Sequence, residues 1–274
     1  MAGGSLTVAL VTDVFHDRGW REALAARLAE ARALGAELAV LPELPLNAWC
    51  AVRRTPDAAD AEPPGGPRQT ALADAAREAG LAVLGGAIVT DPLTETRHNT
   101  AVLVDAAGEA LARYAKVHLP YEEGFWEADH YEPGDELPRP IAVAGFPVGI
   151  QICSDVNRPE PSHILGAMGA LAVLAPRATP AGSFERWRTV LRANAVTSTL
   201  YVLSVNRPEE PGIPVGGASL AIAPDGEVLL ETVERVAVVT LERSAVEAAR
   251  RAYPGYLAVR GDLYAAGWAE ARFD

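Results

Sequence analysis

The chain has 274 residues, 49% of them hydrophobic, with a formal net charge of −12 and a sequence pI of about 4.9. That length supports a large core in one big domain or two small ones, and an acid excess without any basic run excludes a surface that grips a phosphate backbone. The start has no basic n-region, no apolar run reaches membrane-spanning length, and Cys50 and Cys153 make no disulfide framework, so a soluble, cytoplasmic protein is expected.

LTVALVTDV (6–14) is an apolar, β-branched run that predicts a buried strand. DRGWREALAARLAEARALG follows as a helix, with Leu24, Leu28 and Ala31 on one face and Gly35 as its stop. AELAVLPEL is the next strand, ended by Pro42, which completes a βαβ unit. A loop rich in Pro, Gly and Asp leads to a second helix, RQTALADAAREAG, stopped by Gly80. LAVLGGAIVT, HNTAVLVDAAG and EALARYAKVHL read as three strands, and residues 119–140 as a long polar loop. IAVAGFPVGIQIC supplies strand pairs that end at Cys153. PEPSHILGAMGA is a helix, LAVLAP a strand and FERWRTVLRANAVTSTL a helix. YVLSVNRP, GGASLAIAPDGEVLLETV and RVAVVTLE are strands, the second containing a turn at Asp225-Gly226 with φ > 0 at its centre. SAVEAARRAY is a short helix, and the tail beyond it carries no clear pattern. Strands alternating with helices, plus hairpins, give an α/β fold with a mixed sheet. No composition shift marks a boundary, so residues 1–274 read as one domain. Neither a glycine-rich phosphate loop nor a CxxC or HExxH pairing is present, and no cofactor or metal is expected.

In α/β sheets reactive groups gather at the C-terminal ends of strands. Glu43, Lys116 and Cys153 each follow an apolar strand. Lys116 is also the single lysine among 24 Lys and Arg residues. Arg is a planar fork, whereas Lys is a compact point charge. A chain that uses Arg everywhere else keeps one Lys either by chance or because a small ammonium is needed there. Taken singly, each residue has a plain alternative: a turn-capping carboxylate, a solvated lysine, an inert core thiol. Cys50, beside Trp49, receives that last reading. Taken together, the three make a coherent reaction site. A carboxylate takes the proton of a thiol, the thiolate attacks a carbonyl or nitrile carbon, and an ammonium stabilises the charge that develops.

On these residues the chain resembles the nitrilase, or carbon–nitrogen hydrolase, superfamily. GAELAVLPEL is similar to its glutamate motif, RYAKVHLP to its lysine motif and VGIQICSDVNRPE to its cysteine motif. HNTAVLVDAAGE, WRTVLRANAVTSTLYVLSVNR and GGASLAIAPDGEVL also resemble family stretches in the right order, from about residue 6 to about residue 242. The resemblance implies a four-layer αββα sandwich, dimerised into eight layers. It implies Glu43 as general base, Lys116 as transition-state stabiliser, Cys153 as nucleophile and a thioester intermediate. It also implies a second glutamate after the lysine motif. Glu127 keeps the family's spacing best, between the aromatic pair before it and YEPGD after it, with Glu122 and Glu123 as competitors.

Ser154 and Asp155 after the cysteine resemble the amidase and carbamoylase branches more than the nitrile-hydrolysing one. The substrate implied is a small amide or N-carbamoyl compound, and the partners implied include neither nucleic acid nor membrane. Ser154, Asn157, Arg158, Arg177 and Trp126 are the candidate substrate-binding residues. Either Arg could hold a substrate carboxylate bidentately, or sit in a surface ion pair. A helix beginning near Asn157 and Pro159, capped by Asn157, is expected to aim its N-terminus at the Cys153 strand end. The tail, about 243–274, holds YPGYLAVRGDLYAAGW, whose aromatics suit contacts in a homodimer or larger assembly. Three other readings stand beside this one: a nitrile-hydrolysing nitrilase, a family relative that only binds a metabolite or partner, and a Cys–His hydrolase with His118 or His163 as base. The last leaves Glu43 and Lys116 unexplained.

Overall fold

The computed structural model describes residues 4–271. In strand β1 (Ser5–Leu10), Leu6, Val8 and Leu10 enter one apolar cluster while Ala9 enters another, so the strand is buried on both faces. Helix α1 (Trp20–Ala33) buries Leu24, Leu28 and Ala31 and ends before Gly35, whose φ of 90° only glycine adopts freely. Next come β2 (Leu38–Val40), a two-residue strand β3 (Ala61–Glu62), α2 (Pro67–Ala79), β4 (Ala82–Thr90), β5 (Arg97–Val104) and β6 (Ala110–Ala115). β1, β2 and β4 are parallel, β4, β5 and β6 antiparallel, and β3 pairs with β4.

The second half repeats this plan: β7 (Ile141–Val143), β8 (Phe146–Ile150), α3 (Pro159–Ala167), β9 (Ala172–Arg177), α4 (Phe184–Ser198), β10 (Tyr201–Asn206), β11 (Ser219–Ile222) and β12 (Val228–Thr232). Its sheet runs β12-β11-β10-β9-β8-β7, with β8, β9 and β10 parallel at the centre. The chain then returns, and β13 (Ala237–Glu242) pairs antiparallel with β1 on the first sheet. One cluster joins the facing sides of the two sheets, through Leu6, Val8 and Leu10 on one and Val148, Ile150 and Leu203 on the other. A second lies between the first sheet and α1 and α2, a third between the second sheet and α3 and α4. The layers are therefore α, β, β, α, with mixed sheets. The C-terminal ends of the parallel strands meet at one end of the sandwich, where the Glu43 N–H donates to the Arg177 carbonyl at 3.5 Å.

Several expectations are corrected. The strand expected to run to Leu119 ends at Ala115, so Lys116 stands just beyond the ladder. Asn157 does not cap a helix: Cys153–Asn157 is a 3₁₀ turn, and α3 starts at Pro159 after Arg158, which makes no side-chain cap. Proline forces the residue before it into extended backbone and itself takes the first helical position, which puts the boundary at Arg158. At the Asp225-Gly226 turn only Gly226 has positive φ, 89°. After α5 (Arg243–Arg251), the tail that carried no pattern forms α6 (Gly261–Glu270). None of the residues of α6 is buried, so it needs no apolar stripe to show in the sequence. Residues 272–274 of the tail lie outside the described residues.

Candidate active site

Four loops converge where the sheet ends meet. Lys116 follows β6 directly, and its Nζ lies 2.7 Å from Glu43 Oε1 and 2.7 Å from both oxygens of Glu127. All three side chains are 0% exposed. Asn99 on β5 donates from Nδ2 to Glu43 Oε1 at 2.8 Å, while Glu43 Oε2 is buried without a hydrogen-bond partner among the described residues. Burial opposes the charge on Lys116, but the two carboxylates outweigh it and raise its pKa. Burial pushes the Glu127 carboxyl up to about 7; Lys116 pulls the other way and Glu43 adds to the rise. One ammonium cannot fully neutralise two buried carboxylates, so the second proton is held close to neutrality.

Cys153 opens the 3₁₀ turn after β8 with φ of 48°, a left-handed conformation that a non-glycine residue adopts at a cost. Its thiol is buried and points toward the Ala178 carbonyl, 3.8 Å away. Burial raises the thiol pKa well above the ordinary cysteine range; Glu43 is the charge that adds most, and Lys116 offsets it. A carboxylate and an ammonium therefore act on the sulfur in opposite directions.

The loops are held by Arg207, which the sequence reading did not single out, and by Asp155, which it read only as a mark of the family branch. Arg207, just after β10 and fully buried, donates from Nη1 to the carbonyls of Glu43 (3.1 Å) and Leu44 (2.8 Å), and from Nη2 to that of Asn47 (3.2 Å). It thereby clamps the turn in which Leu44 takes φ of 46°. Its Nε meets Glu210 at 2.8 Å, and with His16 that contact draws the Glu210 carboxyl down to about 2 against the effect of burial. Asp155, also fully buried, receives hydrogen bonds from both the lysine segment and the cysteine turn. Arg207 follows the same strand-end rule that found Glu43, Lys116 and Cys153. Asn99 carries no such signal, because it stands among Arg97, His98 and Thr100 in the polar first half of β5.

The structure brings Glu43, Lys116 and Glu127 into contact and sets Cys153 within their electrostatic reach, whereas Glu122 and Glu123 are exposed. The substrate-binding candidates fare differently. Ser154 is half-buried and its hydroxyl is spent on the His118 carbonyl. Asn157 and Arg158 are exposed and lie outside the buried cluster, because the 3₁₀ turn carries the chain outward. Arg177 is neither a surface ion pair nor an open fork: it is buried, bound to Ser204, Thr179 and the Ala218 carbonyl, and burial lowers its pKa to about 10. Trp126 is half-buried under the Arg54 guanidinium, 3.9 Å from the ring centre. His163 is exposed and pairs with Thr197, and His118 Nδ1 lies 2.9 Å from Asp155 Oδ1.

Cys50 sits apart in an apolar cluster with Trp49, Phe125 and Tyr131. Burial pushes its thiol up to about 11, and its sulfur lies 2.9 Å from Tyr131 Oη. Cys50, Asp60 and His130 place potential ligand atoms within 4.8 Å of one another. Each already has a partner, in Tyr131, the Arg53 side chain and the Arg53 carbonyl respectively.

The chain matches the family described as carbon-nitrogen hydrolase over residues 16–251. It is 32% identical over 225 residues to an (R)-stereoselective amidase of Pseudomonas sp., covering 79% of this chain and 77% of that protein. It is also 32% identical over 227 residues to a nitrilase of Pyrococcus abyssi, covering 78% of this chain and 79% of the other. The crystal structure of a carbon-nitrogen hydrolase from Helicobacter pylori G27 superposes with a TM-score of 0.85 at 20% identity, covering 97% of this chain and 99% of that one, a likeness of fold.

Glu127 gives the site a pH signature. Its folded pKa is raised above the unfolded value, so its contribution to stability is fully present below the ordinary carboxylate range and is lost as pH rises through about 7. Thermal melts of the unaltered chain and Glu127→Gln between pH 5 and about 8 test this. The stability of the unaltered chain relative to the variant is expected to fall from pH 5 to about 7 and to level off above it; a constant difference would show that Glu127 titrates as an ordinary carboxyl.

Proposed function

The chain belongs to the carbon–nitrogen hydrolase family, and on that premise we propose that it hydrolyses the C–N bond of a small amide or N-carbamoyl compound through a thioester on Cys153. The observation that carries the reading is the buried thiol in strained backbone beside a Lys116 ammonium shared by two carboxylates. Glu43 Oε2, without a hydrogen-bond partner among the described residues, takes the thiol proton. The sulfur attacks the carbonyl carbon, forming the S–C bond, and the oxyanion is held by Lys116 and a backbone N–H just after Cys153. Glu43 returns the proton to the nitrogen, the C–N bond breaks, and ammonia or an amine leaves. Water, deprotonated by the same carboxylate, adds to the thioester carbon; the S–C bond breaks, the acid leaves, and Glu43 returns the proton to the Cys153 sulfur. Glu127, bound to Lys116 through both oxygens, fixes the ammonium and keeps it charged. The likeness to an amidase supports the amide reading. A nitrile offers the same thiolate an sp carbon, and the likeness to a nitrilase keeps that chemistry as the second reading.

Cys153→Ala removes the nucleophile and little volume. It is expected to abolish ammonia release from a panel of small amides, ureido acids and nitriles while leaving the melt unchanged. With substrate, intact mass spectrometry of the unaltered chain should show an acyl or carbamoyl adduct on Cys153. Turnover by the variant, or an adduct on Cys50, contradicts the mechanism.

The proposal extends to a second copy of the chain. Tyr253, Tyr256, Leu257, Val259, Leu263 and Tyr264 are all exposed on the tail, a concentration of large apolar side chains in one stretch of chain that suits an interface. A homodimer or larger assembly is expected to cover them. Light scattering at micromolar protein should give at least twice the chain mass, and a monomer mass refutes this.

A further inference from the structure

We infer that Asp155 is a positioning residue of the reaction, setting the distance between the Lys116 ammonium and the Cys153 sulfur by tying the segment that carries one to the turn that carries the other. The inference rests on the reading of Cys153 as nucleophile and Lys116 as its cation.

The Asp155 carboxylate is 0% exposed. Oδ2 accepts from the Ile152 N–H at 3.0 Å and from the Tyr114 hydroxyl at 3.0 Å. Oδ1 accepts from the backbone N–H groups of Val117 (3.2 Å) and His118 (2.9 Å) and contacts His118 Nδ1 at 2.9 Å. Tyr114, Val117 and His118 bracket Lys116 on both sides, and Ile152 precedes Cys153. The Asp155 N–H also donates back to the Ile152 carbonyl at 3.0 Å, which closes the turn that holds Cys153 in its left-handed conformation.

The donors demand an acceptor-only group. A carboxylate offers two oxygens and no hydrogen. Asparagine in the same place offers one oxygen and one NH₂, so whichever way it turns, a donor meets donors and one side of the tie is released. The fold has other supports. The Ser154 hydroxyl holds the His118 carbonyl independently, and β6 stays paired with β5. Losing the Asp155 tie therefore shifts the lysine segment against the cysteine turn rather than unfolding either. A displacement of about 1 Å between reacting groups costs on the order of a hundredfold in rate.

The test compares Asp155→Asn and Tyr114→Phe with the unaltered chain on its best amide. It measures kcat, KM, thermal melting and the rate of Cys153 alkylation by iodoacetamide as a function of pH. Asp155→Asn is expected to fold, to lose about a hundredfold in kcat with KM little changed, and to shift its alkylation curve to higher pH, because Lys116 no longer offsets charge on the sulfur. Tyr114→Phe, which removes one bond of the set, should move both readouts the same way by a smaller amount. A purely structural role would lower the melt and leave kcat and the alkylation curve of the folded fraction unchanged, and that result overturns the proposal. Should Asp155→Asn fail to fold, Tyr114→Phe decides alone: an unshifted kcat and alkylation curve overturns it. Turnover by Cys153→Ala would instead overturn the reading beneath it, so the two failures are distinguishable.

Discussion

The Lys116 ammonium, held between Glu43 and Glu127 with no solvent contact, is the interaction on which the rest of the site depends. Taking three charges out of water is costly, and their attraction offsets this only where geometry is close and the remaining lone pairs are satisfied. Here the contacts are 2.7 Å and Asn99 takes up a further lone pair of Glu43 Oε1, while Glu43 Oε2 is left unpaired among the described residues, so its desolvation is not offset. Removing one partner of such a group costs about 3–5 kcal/mol, because the others remain buried and uncompensated. The same burial makes the triad chemically useful. In a low dielectric a single ammonium acts strongly on both a carboxylate and a nearby thiol, and it does not have to reorganise as charge moves.

The α, β, β, α layering supplies the rigid frame for this. Glu43, Lys116 and Cys153 sit just past the ends of strands in two different sheets, so their spacing is fixed by how the sheets face each other rather than by any one loop. The loops themselves carry strain: Leu44 and Cys153 both take positive φ. Each strained turn is braced by a buried charged group, Arg207 for the Glu43 turn and Asp155 for the Cys153 turn. A backbone outlier persists only where its surroundings over-determine it, and these two braces do so at the two residues between which the proton is proposed to pass.

Much of this was legible in the sequence because it is local. Apolar runs marked the strands, and Pro42 and the ends of KVH and QIC marked where functional groups could leave them. One lysine among many arginines pointed to a place where a compact charge matters. What was not legible depends on pairs distant in the chain. The Arg207–Glu43 contact spans 164 residues and the Asp155–Tyr114 contact 41, and no periodicity encodes either. Among Glu122, Glu123 and Glu127, the family spacing pointed to Glu127, but only the fold gives the contact by which it reaches Lys116. Arg158 and Arg177 looked alike as cations near strand or helix ends. Yet one is exposed and the other buried among polar groups, because a 3₁₀ turn follows β8 whereas β9 continues to Arg177 itself. The helix in the tail escaped notice since it packs no buried face against its own chain.

The central claim is that the site needs a compact ammonium at position 116, and Lys116→Arg tests it most directly. The variant keeps the positive charge, but a guanidinium spreads it over a plane that does not fit between two carboxylates at 2.7 Å while also facing the developing oxyanion. Turnover of the variant on the best amide of the panel, measured per folded molecule, is predicted to fall by at least about a hundredfold, the scale of one lost oxyanion contact. Near-normal turnover in folded Lys116→Arg would contradict the account and leave the single lysine to chance.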